Sequence, residues 1–264
     1  MENFNRFSDL IYNQYGIYYN DTKREILQTK LNKLMSKYDM ASYDECYGNL
    51  KCMVNKTLLS DFANEITVNF TSFFRESLHF DYVRENAAGL FAARPERNSD
   101  NDFRIWSSAC STGEEPYTLA MVLKEALPAG VNIRILATDV NKKVLSIAQR
   151  GLYSFDIKNT VERRYLDKYF YKTPTGYMIS DEIKRLVSYR HFNLIHDFPF
   201  KNTFDMVFCR NVMIYFDAAV RQELVNKFFE VLPLGGLLFI GHSESLSGQT
   251  HKFRYVQPAV YVKN

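Results

Sequence analysis

Between Asp102 and Ile240 the chain alternates short apolar runs with amphipathic stretches, and this constrains its fold more than any other feature. Phe103–Ser108 reads as a strand, Pro116–Leu127 as a helix with proline in its first turn, and Ile133–Thr138 as a second strand. Asn141–Arg150 reads as a helix closed by Gly151, Phe204–Cys209 as a strand, Ala218–Leu232 as a helix and Leu237–Ile240 as a strand. Strands separated by helices pair in parallel, and a parallel sheet is covered on both faces. The tail, Phe253–Val262, carries strand-like sequence with no helix in it, which predicts an antiparallel edge. Leu152–Tyr189 breaks the alternation. Its turn signal, Thr173-Pro174-Thr175-Gly176, followed by Tyr177–Ser180, predicts a small β-subdomain inserted at residues 152–190.

Residues 1–63 carry a helical pattern, which predicts an all-α N-terminal domain ahead of an α/β domain over 64–264. Thr22–Tyr38 lacks Gly and Pro, and Asp21 or Thr22 can cap it. Leu27, Leu31, Leu34, Met35 and Tyr38 share one helical arc, and Lys23, Lys30, Lys33 and Lys37 a neighbouring one. Five basic residues and one acidic residue make this segment +4, while residues 1–63 balance at eight of each sign. The lysine arc is either an ordinary solvated face or a docking surface for an acidic partner. Asp61–Val68 reads as a connector and Ala93–Asp102 as a polar loop.

Composition narrows the class. At 264 residues, 46% hydrophobic and 24% charged, the chain has ample material for a core and is not a disordered one. A net charge of +3 does not indicate a broadly basic nucleic-acid binder. The four cysteines show no CxxC and the five histidines no HxxxH, so neither a disulfide framework nor a metal site is expected. The start lacks the apolar core of a signal peptide. The longest apolar run, Val231–Gly241, is interrupted by Pro233 and glycines and falls short of the ~18 residues of a membrane span. The expectation is a reduced, cytoplasmic protein with no membrane insertion.

In a parallel α/β sheet, ligands bind beyond the carboxyl ends of the strands. Ser107-Ser108-Ala109-Cys110-Ser111-Thr112-Gly113-Glu114-Glu115-Pro116 joins the first strand to its helix with small residues, which admit a ligand close to the backbone. It is neither GxGxxG nor a P-loop, and two carboxylates there disfavour a pyrophosphate and suit a cationic ligand. Alternatively, Glu114 and Glu115 only complement the helix dipole. Asp139 closes the second strand, where an acid either takes two ribose hydroxyls or caps the Asn141 helix. Phe204–Cys209 runs into Arg210, Asn211 and Tyr215, with Cys209 read as lining a pocket rather than as a nucleophile. Asn69, Thr71 and Arg75 alternate with Phe70, Phe73 and Phe74 ahead of the first strand, either as part of the site or as an amphipathic entry helix.

Taken in order, these strings resemble the chemotaxis receptor glutamate O-methyltransferases, which use S-adenosylmethionine. The resemblance rests on Ile66–Asn69 with Phe73–Glu76, Arg104–Ser107 running through Cys110–Tyr117, Ala137–Asp139, Phe192–Leu194, Phe208–Asp217 and Gly241–Ser245. It covers nearly the whole chain. It implies a helical N-terminal domain, a Rossmann-like methyltransferase sheet and an inserted β-subdomain. By position it implies cofactor contacts at Asn69, Thr71, Arg75, Glu115, Asp139, Asn193, Leu194, Cys209 and Arg210. Arg75 and Tyr215 then lie closest to the transferred methyl. The implied partner is the cytoplasmic helical bundle of a chemotaxis receptor; the local charge count places its docking on Lys23, Lys30, Lys33 and Lys37, and a monomer with no nucleic acid involved is expected. Nucleic-acid methyltransferases are disfavoured because neither an Asp/Asn-Pro-Pro-Tyr/Phe string nor a Pro-Cys nucleophile is present. A non-catalytic cofactor-binding adaptor is the remaining rival, with Arg75, Glu115, Asp139 and Tyr215 counting against it.

Overall fold

The computed structural model describes residues 2–93 and 101–264. Four helices come first: α1 (Glu2–Tyr15), α2 (Arg24–Lys37), α3 (Tyr43–Lys51) and α4 (Lys56–Ile66). Then follow α5 (Leu78–Ala92), β1 (Asp102–Ser107), α6 (Glu114–Ala126), β2 (Asn132–Asp139) and α7 (Lys142–Arg150). The insertion comprises β3 (Leu152–Tyr153), α8 (Arg163–Tyr169), β4 (Phe170–Thr173), β5 (Gly176–Ile179) and α9 (Asp181–Lys184). The chain ends with β6 (Val187–His191), β7 (Met206–Cys209), α10 (Ala218–Val231), β8 (Leu237–Ile240), β9 (Phe253–Gln257) and β10 (Val260–Lys263).

Seven strands form one sheet in the order β6-β2-β1-β7-β8-β10-β9. The first five are parallel, and β10 and β9 add the antiparallel edge. From β1 the chain steps outward through β2 to β6, then returns to the other side of β1 for β7 and β8. The switch point therefore lies between β1 and β7, where a crevice opens at the strand ends. Side chains alternate across the sheet: Met206 and Phe208 join the core under α5, α6 and the insertion, while Val207 and Cys209 join Trp106, α10 and the N-terminal helices. Trp106 is fully buried there, its indole N–H donating to Thr138 Oγ1 at 3.0 Å.

Two sequence readings need correction. Asp61–Val68 is no simple connector, because α4 continues to Ile66. Asn55 caps it by accepting from the N–H groups of Thr57 and Leu58, and Leu58, Phe62 and Ile66 bury one stripe. The insertion stops short of residue 190, because Val187–His191 pairs with β2 as an edge strand of the main sheet. Its own sheet is three-stranded, β3-β5-β4. The polar loop read over Ala93–Asp102 falls mostly on residues 94–100, outside the described residues. Among the described residues, no helix is long and apolar enough to cross a membrane.

Candidate functional site

A cleft of about 970 Å³, counting its open mouth, sits at the switch point. Ser108, Ala109 and Ser111 follow β1, Asp139 and Val140 follow β2, Phe192–Leu194 follow β6, and Arg210–Val212 follow β7. Asn69, Thr71 and Arg75 enter from the link before α5, Tyr215 from a 3-10 turn, and Glu115 from the first turn of α6. All of the cofactor and catalytic residues expected from sequence line this cleft except Cys209. The Cys209 side chain is fully buried in the core, and burial pushes its thiol far above the ordinary range.

The β1–α6 turn separates its two carboxylates. Glu114 accepts from Thr112 Oγ1 at 2.7 Å and stays at the helix start. Glu115 turns inward, accepting from Ser107 Oγ at 2.7 Å and from Arg210 Nη1 at 2.9 Å. Gly113 makes the turn possible: its φ is +98°, and a Cβ there falls 2.8 Å from Ala148 Cβ.

Asp139 is freed from the capping role, because Asn141 caps α7 with its own side chain. Asp139 Oδ1 accepts from the Asn141 N–H and Oδ2 from the Ser111 N–H, both at 2.9 Å. The Val140 N–H also acts on this carboxylate, which retains acceptor capacity for a further donor. Burial raises this carboxyl from its ordinary value to about 6, against the pull of those backbone N–H groups.

Arg210 ties the site together. Its side chain is 2% exposed and pairs with Glu115 at 2.9 Å and Glu76 at 3.0 Å. It also donates to the Arg75 carbonyl. Burial raises the Glu76 carboxyl, but Arg210, Asn211 and the His242 N–H outweigh that and hold it below its usual value. Glu76 and Phe74 both have positive φ, +57° and +55°, so Phe73–Glu76 is a tight turn rather than the entry helix the sequence allowed. Arg75 donates to the Phe70 carbonyl at 2.9 Å and lies over the Phe70 ring. Burial raises the Tyr215 phenol, with Arg75 opposing and Glu244 adding to the shift, so it remains a donor at neutral pH.

Sequence reasoning missed the wall contributed by the helical domain. Tyr15, Ile17, Ile66 and Thr67 line the cleft. They are fixed by the Ile17–Phe216 bridge and by Tyr18 N–H donating to the Tyr215 carbonyl at 2.9 Å. Asn193 Nδ2 donates to the Gln14 carbonyl at 2.7 Å and ties α1 to the same rim. The signal was Gly16, whose positive φ of +71° ends α1 and whose missing Cβ makes room for Ile195.

The four lysines lie on α2 and the turn before it, outside the cleft. Their field is weaker than the sequence count suggests, because α4 supplies acids. Lys37 pairs with the buried Asp61, and Lys33 with Glu65 at 3.0 Å. Burial lowers the Lys30 ammonium, with Glu65 opposing the shift.

The cleft suits S-adenosylmethionine in kind. Small residues admit a ligand to the backbone, apolar side chains such as Val140, Phe192 and Leu194 offer a slot for a base, and Asp139 offers acceptors for a diol. A pyrophosphate is opposed by Glu114 and Glu115 at the helix start.

Residues 69–262 match the family model described as CheR methyltransferase, SAM binding domain. Residues 2–67 match CheR methyltransferase, all-alpha domain. A chemotaxis protein methyltransferase of Borreliella burgdorferi is 34% identical over 100% of this chain and 94% of its own length. One of Escherichia coli is 32% identical over 98% of this chain and 89% of its own. Among solved structures, the methyltransferase domain of bacterial-CtHen1-C superposes with a TM-score of 0.33 at 17% identity, covering 59% of this chain and 64% of that one.

Proposed function

The chain belongs to the CheR methyltransferase family, and from that premise we propose that it transfers methyl groups from S-adenosylmethionine to glutamate side chains of chemotaxis receptors. It acts on the receptors' cytoplasmic helical bundle and leaves glutamate methyl esters. The observation that carries this reading is the convergence of Arg75, Tyr215, Asp139 and the Arg210–Glu115 pair on one cleft at the switch point.

When bound, the cofactor supplies a methyl group on a sulfonium centre. Asp139 accepts from the ribose hydroxyls. Glu115, held by Ser107 and Arg210, adds negative charge suited to the ligand's cationic end. A glutamate side chain has an unperturbed pKa of about 4.3, so the incoming nucleophile is already ionised and needs no general base. What the protein contributes is orientation and exclusion of water. Tyr215 donates to one oxygen of the incoming carboxylate and aims the other. Arg75, restrained by the Phe70 carbonyl and ring, positions the same carboxylate. Charge is neutralised on the way to the transition state, so a strong cationic clamp holds the reaction back, and positioning is the better use of Arg75.

Tyr215→Phe should lower kcat by about ten- to a hundredfold, the scale of one hydrogen bond to a charged group, and leave S-adenosylhomocysteine affinity unchanged. Arg75→Ala should lower kcat/KM by at least as much. Wild-type turnover in Tyr215→Phe, measured as transfer of radiolabelled methyl, removes the tyrosine from the mechanism.

The same assay tests the function itself. Base-labile label on receptor-bearing membranes supports glutamate esters. Label on DNA, or cofactor binding without transfer to any receptor, overturns the reading.

Docking is proposed on the lysine face. Lys37 is committed to Asp61, so the test uses Lys23→Gln, Lys30→Gln and Lys33→Gln together. This variant should raise KM for the receptor several-fold at low ionic strength, keep cofactor affinity, and lose its difference from wild type as salt screens both. An unchanged KM at low salt makes the face ordinary surface.

A further inference from the structure

Glu76 faces a second group besides Arg210. Its Oε2 lies 3.7 Å from His79 Nδ1. The His79 ring meets the His242 ring edge to face, with centroids 4.6 Å apart. Among the described residues, Glu76, His79 and His242 form a trio whose possible ligand atoms all lie within 4.8 Å of one another. His79 is 0% exposed, and neither of its ring nitrogens has a hydrogen-bonding partner among the described residues. Leaving such groups unsatisfied is costly. An apolar ring would pack as well against Phe239, whose centroid is 5.6 Å away. Packing therefore gives no reason for a histidine at this position.

We propose that Glu76, His79 and His242 bind a divalent transition metal ion, with Zn²⁺ the ion best matched to two imidazoles and one carboxylate. Glu76 and His79 stand three apart where the chain enters α5, and His242 arrives from the turn after β8. The HxxxH spacing sought in the sequence cannot reveal this set, because its second histidine comes from the far end of the chain. None of the three lines the cleft; Arg210 stands between, its Nη1 on Glu115 and its Nη2 on Glu76. Arg210 is its competitor: the guanidinium donates to Glu76 Oε2 at 3.0 Å, and Asn211 Nδ2 to Oε1 at 3.1 Å. The His242 N–H also donates to Oε2, at 3.2 Å. An ion must share the carboxylate with these donors, so it binds more weakly than at a closed structural zinc site.

The test is metal binding by the full chain and needs neither cofactor nor receptor, so it stands or falls apart from the methyl-transfer reading. A Cys52→Ser background removes the exposed thiol. Titration with ZnSO₄ by calorimetry should show one equivalent bound, and Co²⁺ should give visible ligand-field bands at the same stoichiometry. His242→Ala should weaken binding at least tenfold. Its side chain is exposed, so the fold survives where His79→Ala disturbs the core, and circular dichroism checks this. No stoichiometric binding by the parent, or equal affinity in folded His242→Ala, overturns the proposal.

Discussion

Arg210→Ala should cost the protein about 3–5 kcal/mol of stability, the scale of a buried ion pair stripped of one partner. The guanidinium is 2% exposed and stands between two carboxylates that are themselves 15% and 12% exposed. Without it, two partly buried carboxylates lose their shared cation, Glu76 keeping only Asn211 Nδ2 and the His242 N–H, and Glu115 only Ser107 Oγ. Arg210→Lys should recover only part of the loss. A single ammonium lacks the planar fork that reaches Glu76, Glu115 and the Arg75 carbonyl at once. Combining Arg210→Met with Glu76→Gln and Glu115→Gln should restore much of the stability, because the penalty lies in the orphaned charges and not in the missing pair. Urea unfolding at neutral pH measures all three. A loss below about 1 kcal/mol in Arg210→Ala, the range of a surface pair, would show that water reaches the carboxylates and that the pair is not the keystone of the cleft.

This arrangement also shows what the sequence could disclose. The strand–helix alternation gave the sheet because a period of two and a period of 3.6 are both local patterns, readable in any window of a dozen residues. Asp139 was legible as a strand-end acid, but whether it caps the next helix was not. The cap falls to Asn141, two residues later. Arg210 was legible as a cleft residue, yet its partner Glu76 lay in a turn built from two left-handed residues, Phe74 and Glu76, that no propensity marks. The acids that weaken the field of the lysine face were hidden in a similar way. The lysine count was correct along one helix, while Asp61 and Glu65 lie on another that the sequence suggested ended earlier. Cys209 was placed by motif at the strand end, but the alternation of side chains across β7 turns it into the core with Val207. What stayed hidden in each case was a contact between segments distant in sequence.

Affinity for S-adenosylhomocysteine should fall as pH drops through about 6, with Asp139 the group responsible. Burial lifts its carboxyl to about 6 from an ordinary 3.8, and the residue is 8% exposed. The folded value is above the unfolded one, so between the two the native state binds more protons. The stabilising contribution is then complete below pH 4 and disappears as pH rises through 6. A shift of this size corresponds to something on the order of 3 kcal/mol. At neutral pH the ligand-free protein therefore holds a buried anion at a cost, and ribose hydroxyls donating to that anion offset part of it. Binding selects the ionised form, so affinity should weaken about tenfold per pH unit below 6. It should also release a proton near pH 5.5, which calorimetry in buffers of different ionisation enthalpy reads directly. Asp139→Asn should flatten the pH dependence of affinity and of ligand-free stability between pH 4 and 6. The same variant should bind about 1.5–3 kcal/mol more weakly at pH 7.5, the loss of a charged hydrogen bond. Should the Asn variant still lose affinity tenfold between pH 6 and 5, the titrating group is another one, and Asp139 does not hold the ribose.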